Sequence, residues 1–186
     1  RKCKVFKDFE ENVPELSYPA EGTIRFEEDL AEVRRCVRNP SLSKTFLKKS
    51  NKDAEDIFKK FMKDEVYDWS KLDDVLKELD AVLLRMKFKH NRLRPFKHFE
   101  ERGEDIKTKN AHSPSFPSGH TAFAYFICDV LSDTFPEKTM ELQTIAEMIG
   151  QSRIENGVHF PTDVSSGRYV GEAAARHYLE NRVLNE

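Results

Sequence analysis

An all-α, single-domain helical bundle is the fold this sequence predicts, and three observations predict it. Apolar residues recur at intervals of three and four along most of the chain, no segment alternates with period two for long enough to make a strand, and the chain has 186 residues. A chain of that size buries roughly two-thirds of its unfolded surface in one core. One domain over 1–186 with no linker is therefore expected.

Phe26, Leu30, Val33 and Val37 form the first stripe, and Ile57, Phe58, Phe61 and Met62 form another. The clearest helix is 70–88, where Leu72, Val75, Leu76, Leu79, Val82, Leu83 and Met86 repeat at three and four behind Ser70 and Asp73, read as a capping pair. Further helices are expected near 118–133, 137–150 and 162–181, with Pro136 and Pro161 in first turns. The segment 95–117, holding Pro95, Gly103, Pro114 and Pro117, reads as a long connection of the kind that carries function. The charged run "KKSNKDAEDIFKK" reads as the solvated face of a helix and is assigned no function.

Composition excludes several classes. Lys and Arg number 31 against 33 Asp and Glu, so no global field favours nucleic acid or an anionic membrane surface. Mean hydropathy is −0.68, and the best apolar run, "AFAYFICDVL", is short and carries Asp129, so a soluble protein without a transmembrane segment is expected. Cys3, Cys36 and Cys128 are too scattered for a disulfide framework or a zinc knuckle. The first residue is Arg1 and no signal-peptide core follows, which fits either a removed leader or a missing N-terminal segment.

Three places concentrate chemistry. In "KFKHNRLRP", Lys87 and Arg94 lie seven residues apart and return to nearly the same helical face, although Arg94 before Pro95 should be leaving the helix. In "FPSGHTAFAYF", Ser118 falls near an N-cap, and the amides of Ser118, Gly119 and His120 would face outward as an anion site. In "SRIENGVHFPTD", Arg153 adds a fork of donors near His159 and Asp163. Each has a bland reading alone: dipole compensation at a helix end, a simple cap, a polar helix start.

Together they form K-x6-R-P, P-S-G-H and S-R-x5-H-x3-D, carried by Lys87, Arg94, Pro95, Pro117, Ser118, Gly119, His120, Ser152, Arg153, His159 and Asp163. Eleven fixed positions in order resemble the signature of the type 2 phosphatidic acid phosphatase (PAP2) and vanadium haloperoxidase superfamily. "MKFKHNRLRPF", "SFPSGHTAF", "GVHFPTDVSSGR" and "LSYPAEGTIRFEEDL" look like the bacterial class A non-specific acid phosphatases, a likeness covering about 16–180. Those exported enzymes usually carry a cysteine pair before P-S-G-H, and 95–117 has none. The resemblance thus favours the periplasm or secretion only slightly and leaves the cytoplasm open.

The resemblance implies a helical bundle that hydrolyses phosphate monoesters, diphosphates being a further possibility. His159 is then the nucleophile that becomes a phosphohistidine, Asp163 fixes its tautomer, and His120 is the general acid and later the base. Lys87, Arg94, Ser118, Gly119 and Arg153 hold the phosphoryl oxygens. No metal or cofactor is implied, and vanadate would bind as a phosphate analogue. The expected partner is a small phosphorylated substrate, with a homo-oligomer left open. The alternatives are a vanadate-dependent haloperoxidase, whose members are typically much longer, and a soluble lipid-phosphate phosphatase. His90, His98 and His112 lie near the motifs without being required by them. Tyr125 and Phe123 are expected to pack, Gly167 and Gly171 to allow close helix approach, and Cys128 to be buried.

Overall fold

A computed structural model describes residues 5–182. Among them every regular element is helical: α1 (Phe9–Asn12), α2 (Ile24–Arg38), α3 (Lys44–Lys52), α4 (Glu55–Phe61), α5 (Trp69–His90), α6 (Pro95–Glu101), α7 (Gly119–Thr134), α8 (Thr139–Glu155) and α9 (Pro161–Arg182), with a 3-10 turn at Pro136–Lys138 before α8. The all-α expectation holds. Pro136 and Pro161 both open helical turns, where a missing N–H costs nothing.

Two local expectations are corrected. The long helix starts at Trp69 and is capped by Asp68, whose carboxylate accepts from the Lys71 amide at 3.2 Å. Ser70 is already inside the first turn, and Asp73 faces Lys59 at 3.4 Å. Starting one residue earlier lets Trp69 pack against the main core. The supposed long connection also contains α6, with Pro95 at its first position and buried Phe96 and Phe99 on its inner face. Its seven residues are too few to show a period beside the prolines.

α7 is the central element. Its apolar residues Ala122, Ala124, Phe126, Ile127, Cys128 and Leu131 are all fully buried, and it packs most extensively on α8 and α9. A helix apolar on nearly every side belongs inside a bundle. Gly167 and Gly171, one turn apart on α9, make the tightest crossing: a Cβ at Gly171 would stand 2.3 Å from the Ala122 carbonyl oxygen, and one at Gly167 2.4 Å from that of Ser118. The main core joins these helices to Leu72, Leu79, Val82 and Leu83 of α5 and to Phe58 and Met62. A smaller cluster, Phe26, Leu30, Val33 and Cys36 with Phe99, Ile154 and Phe160, seats α2 against the turn between α8 and α9. That turn carries the chemistry. Cys3 lies outside the described residues.

Candidate active site

The site is built from helix ends. α5 ends at His90, and Asn91 takes a left-handed conformation (φ 50°) with its amide on the Lys87 carbonyl at 2.8 Å. Asparagine tolerates that geometry better than most residues. The chain then runs extended through Arg94 into α6. Lys87 and Arg94 therefore meet through this turn and not through a shared helical face. Both reach the same acceptor, with Lys87 Nζ donating to the Pro114 carbonyl at 2.9 Å and Arg94 Nη2 at 3.4 Å.

α8 runs through Arg153 to Glu155, five residues beyond the expected end at 150, with Asn156 as its C-cap. Gly157 then reverses the chain at φ 71°, where a Cβ would meet Thr108 at 2.3 Å. This delivers His159 back over the end of its own helix, its amide on the Arg153 carbonyl at 3.3 Å. Asp163 reaches back from the first turn of α9 to accept from the Phe160 amide at 2.8 Å, a capping-box arrangement. The same oxygen, Oδ2, lies 3.4 Å from His159 Nδ1 and accepts from the Ser115 hydroxyl. One carboxylate thus caps a helix and faces an imidazole.

The His159 tautomer follows from its partners. Arg94 Nη1 lies 3.1 Å from Nε2, and a guanidinium only donates, so Nε2 carries the lone pair and Nδ1 the proton directed at Asp163. The ring is 1% exposed. Burial, followed by the charges of Arg94, Lys87 and Arg153, holds it well below the ordinary histidine range, so it is neutral with Nε2 aimed among three cations. Burial pushes Asp163 upward, while Arg92 and the Ser115 hydroxyl oppose that shift.

Lys87, Arg94 and Arg153 are 5%, 6% and 3% exposed. None has an ion-pair partner among the described residues. Arg94 donates to the Ser113 carbonyl at 2.7 Å and the Val158 carbonyl at 2.9 Å; Arg153 donates to Asn51 Oδ1 at 3.0 Å, and its Nε has no hydrogen-bond partner. Burial and mutual repulsion lower Lys87 to about 7 and Arg153 to about 9, and burial lowers Arg94 to about 10. Buried cations without carboxylates are costly unless an anion joins them.

α7 supplies the opposite wall. Ser118 is its N-cap, its hydroxyl 2.8 Å from that of Thr121 and accepting from the Thr121 amide at 3.4 Å. The expectation of three outward amides is corrected to two, because the Ser118 amide donates to the Asp163 carbonyl at 3.0 Å. Gly119 and His120 remain as first-turn amides with no intrahelical acceptor. A Cβ at Gly119 would touch Lys87 Cε at 3.6 Å, which puts the lysine stem against this turn. His120 is depressed to about 3, first by burial and then by Arg153, Lys87 and Arg94.

All eight expected side chains and amides therefore belong to one cluster. The other histidines do not join it. His98 is buried edge-on to Phe26 and Phe160, His90 packs on Phe116 and Tyr18, and His112 is exposed. Tyr125 is buried under Arg168, and Phe123 packs against the core.

Three contributors were not read from the sequence. Ser115 adjoins P-S-G-H and differs in nothing from a loop serine. Asn51 sits in the charged run. Arg92, between Lys87 and Arg94, is the most consequential: it donates to Asp163 Oδ1 at 2.8 Å, to Thr162 Oγ1 at 2.8 Å and to Asp29 Oδ2 at 3.2 Å, and stacks on Phe160 at 3.8 Å from the ring centroid. Residues two apart in an extended segment share a face, and Arg92 and Arg94 are both buried toward the turn before α9, on either side of exposed Leu93; that shared face was the available signal. Arg92→Ala leaves two buried carboxylates without their cation, and chemical denaturation is expected to show a loss of about 3 kcal/mol.

The helical frame and this cluster define a class: bundles whose helix ends gather buried cations around a carboxylate-backed histidine. A model of the PAP2 superfamily matches residues 79–183, more than half of the chain, and the chain belongs to that superfamily. Among curated relatives, a non-specific acid phosphatase of Salmonella typhimurium is 43% identical over 83 residues, 43% of this chain and 33% of that one. One from Salmonella typhi is 39% identical over 114 residues, covering 59% and 45%, and one from Providencia stuartii 33% over 100 residues, covering 51% and 39%. The chain thus matches less than half the length of each. The fold is shared with the crystal structure of a transmembrane PAP2 type phosphatidylglycerolphosphate phosphatase from Bacillus subtilis, with a TM-score of 0.63, 19% identity, and 89% and 90% of the two chains covered. In this chain, no helix among the described residues is long and apolar enough to cross a membrane.

Proposed function

We propose that this protein hydrolyses small phosphate monoesters through a phosphohistidine at His159. The observation that carries the reading is the surplus of buried positive charge around His159 Nε2: Lys87, Arg94 and Arg153 have no carboxylate partner among the described residues, while Asp163 and Asp29 are matched by Arg92. A phosphoryl group complements three cations and two helix-start amides, and such fixed donors stabilise the charge of its transition state. The relatives, named as non-specific acid phosphatases, support phosphate-ester hydrolysis.

In this mechanism Nε2 attacks phosphorus in line with the ester oxygen, and the P–O bond breaks as N–P forms. Asp163 holds the Nδ1 proton and balances the developing imidazolium. His120 gives its proton to the departing alkoxide, then takes one from the water that cleaves the phosphohistidine and releases orthophosphate. The chain's own cations neutralise the equatorial oxygens, so the proposed steps call for no metal.

Phosphate release measured over nucleotides, sugar phosphates, diphosphates and short-chain lipid phosphates tests the proposal, and failure with all of them across acid and neutral pH would refute it. Proton linkage supplies an independent check. An anion in the pocket raises Lys87 above its free-state value of about 7, so binding takes up a proton between the two values and affinity falls as pH rises through that window. Sulfate does not titrate in this range. Calorimetry in two buffers of different ionisation enthalpy at mildly alkaline pH is expected to show net proton uptake on sulfate binding, whereas zero uptake or release would contradict it.

A further inference from the structure

Asn51 lies in the last turn of α3, inside the charged run and outside the segment matched by the family model. Its side chain nevertheless serves the pocket: the side-chain oxygen accepts from Arg153 Nη1 at 3.0 Å. We propose that Asn51 is a positioning residue that aims the Arg153 clamp with its side chain. This rests on the role given to Arg153 above.

Arg153 is buried, and its bond to Asn51 is the side-chain hydrogen bond that fixes its direction. Holding Nη1 leaves Nε, which has no partner, and Nη2 as a parallel pair of donors, the edge that grips two oxygens of one phosphate. α3 does not drift relative to these groups. The Leu47 carbonyl accepts from Asn156 Nδ2 at 3.1 Å, and Glu155 accepts from the amides of Ser41 at 2.8 Å and Leu42 at 3.1 Å, which ties the start of α3 to the end of α8. An amide suits the position because it orients Arg153 without neutralising it. A carboxylate of the same shape would hold the same bond and cancel the charge needed by phosphate.

That difference separates a role in the site from a structural one. Three measurements on the full chain are compared among wild type, Asn51→Ala and Asn51→Asp: orthophosphate affinity by calorimetry, kcat and KM for an aryl phosphate over pH, and the thermal midpoint. Asn51→Ala is expected to weaken orthophosphate and raise KM by about tenfold, the worth of a hydrogen bond to a charged group. Asn51→Asp is expected to match or exceed the wild-type midpoint yet bind orthophosphate more weakly than Asn51→Ala at neutral pH, recovering as the new carboxylate protonates. Aspartate binding orthophosphate as well as asparagine, or alanine lowering only the midpoint, would overturn the inference for Asn51 alone. A wild-type protein that neither bound orthophosphate nor hydrolysed any ester would instead remove the reading beneath it.

Discussion

His159→Ala is expected to abolish turnover, lowering kcat by about four orders of magnitude or more, as loss of a nucleophile does elsewhere. The argument is geometric. Nε2 stands among Lys87, Arg94 and Arg153, and the Arg94 contact at 3.1 Å, with Asp163 on the other ring nitrogen, leaves its lone pair directed into the cluster. The substitution deletes that atom and leaves the cations in place. Orthophosphate should therefore bind the variant at least as tightly as wild type, because a bound anion no longer competes with the Arg94–His159 contact. Loss of both turnover and phosphate binding in a folded variant would assign His159 a structural task. Retained turnover would refute the mechanism.

His120→Ala is expected to divide substrates by leaving group. A general acid contributes about 10²- to 10⁴-fold where the departing oxygen is strongly basic. Alkyl phosphates should lose that factor, and nitrophenyl phosphate, whose phenolate leaves unaided, should lose far less in its first step. The pH dependence follows with its sign. His120 must be charged to donate, so activity falls as pH rises through its value in the complex; His159 must be neutral to attack, so activity falls as pH drops through its own. Free His120 is depressed to about 3 by burial and then by Arg153, Lys87 and Arg94, and the bound phosphate dianion offsets most of that positive charge. The operative value is thus higher than 3, and the profile is bell-shaped on the acid side. In His120→Ala the alkaline limb assigned to this residue should vanish while the acid limb persists. Equal losses for alkyl and nitrophenyl esters would remove His120 from the leaving-group step.

The long core helix and the apolar α7 were legible because each rests on spacing within one short stretch, whereas the eight residues of the pocket were legible only through the resemblance carried by three motifs together, each of which has a bland reading alone. What was missed depends on contacts between stretches. Arg92 shares a stretch with Lys87 and Arg94, yet its partners Asp29, Thr162 and Asp163 come from α2 and α9. Asn51 meets Arg153 only because α3 is bound to the end of α8. The Ser118 amide was read as an anion donor, and tertiary structure gave it to the Asp163 carbonyl instead. α6 escaped notice because seven residues flanked by prolines and glycine carry no readable period. Asp163 was read as the partner of His159; it is also the cap of α9, and one oxygen does both.

The central claim is that phosphorus is transferred to His159 before water attacks. His120→Ala offers the direct measurement, since it allows the first step with nitrophenyl phosphate and lacks the base for the second. Mixed with that ester, quenched in alkali within the first turnover and mapped by mass spectrometry, the variant is predicted to carry phosphate on His159 in an amount matching the nitrophenol burst. Steady nitrophenol release without a burst and without phosphorylated protein, or phosphate mapped to any other side chain, would contradict the account.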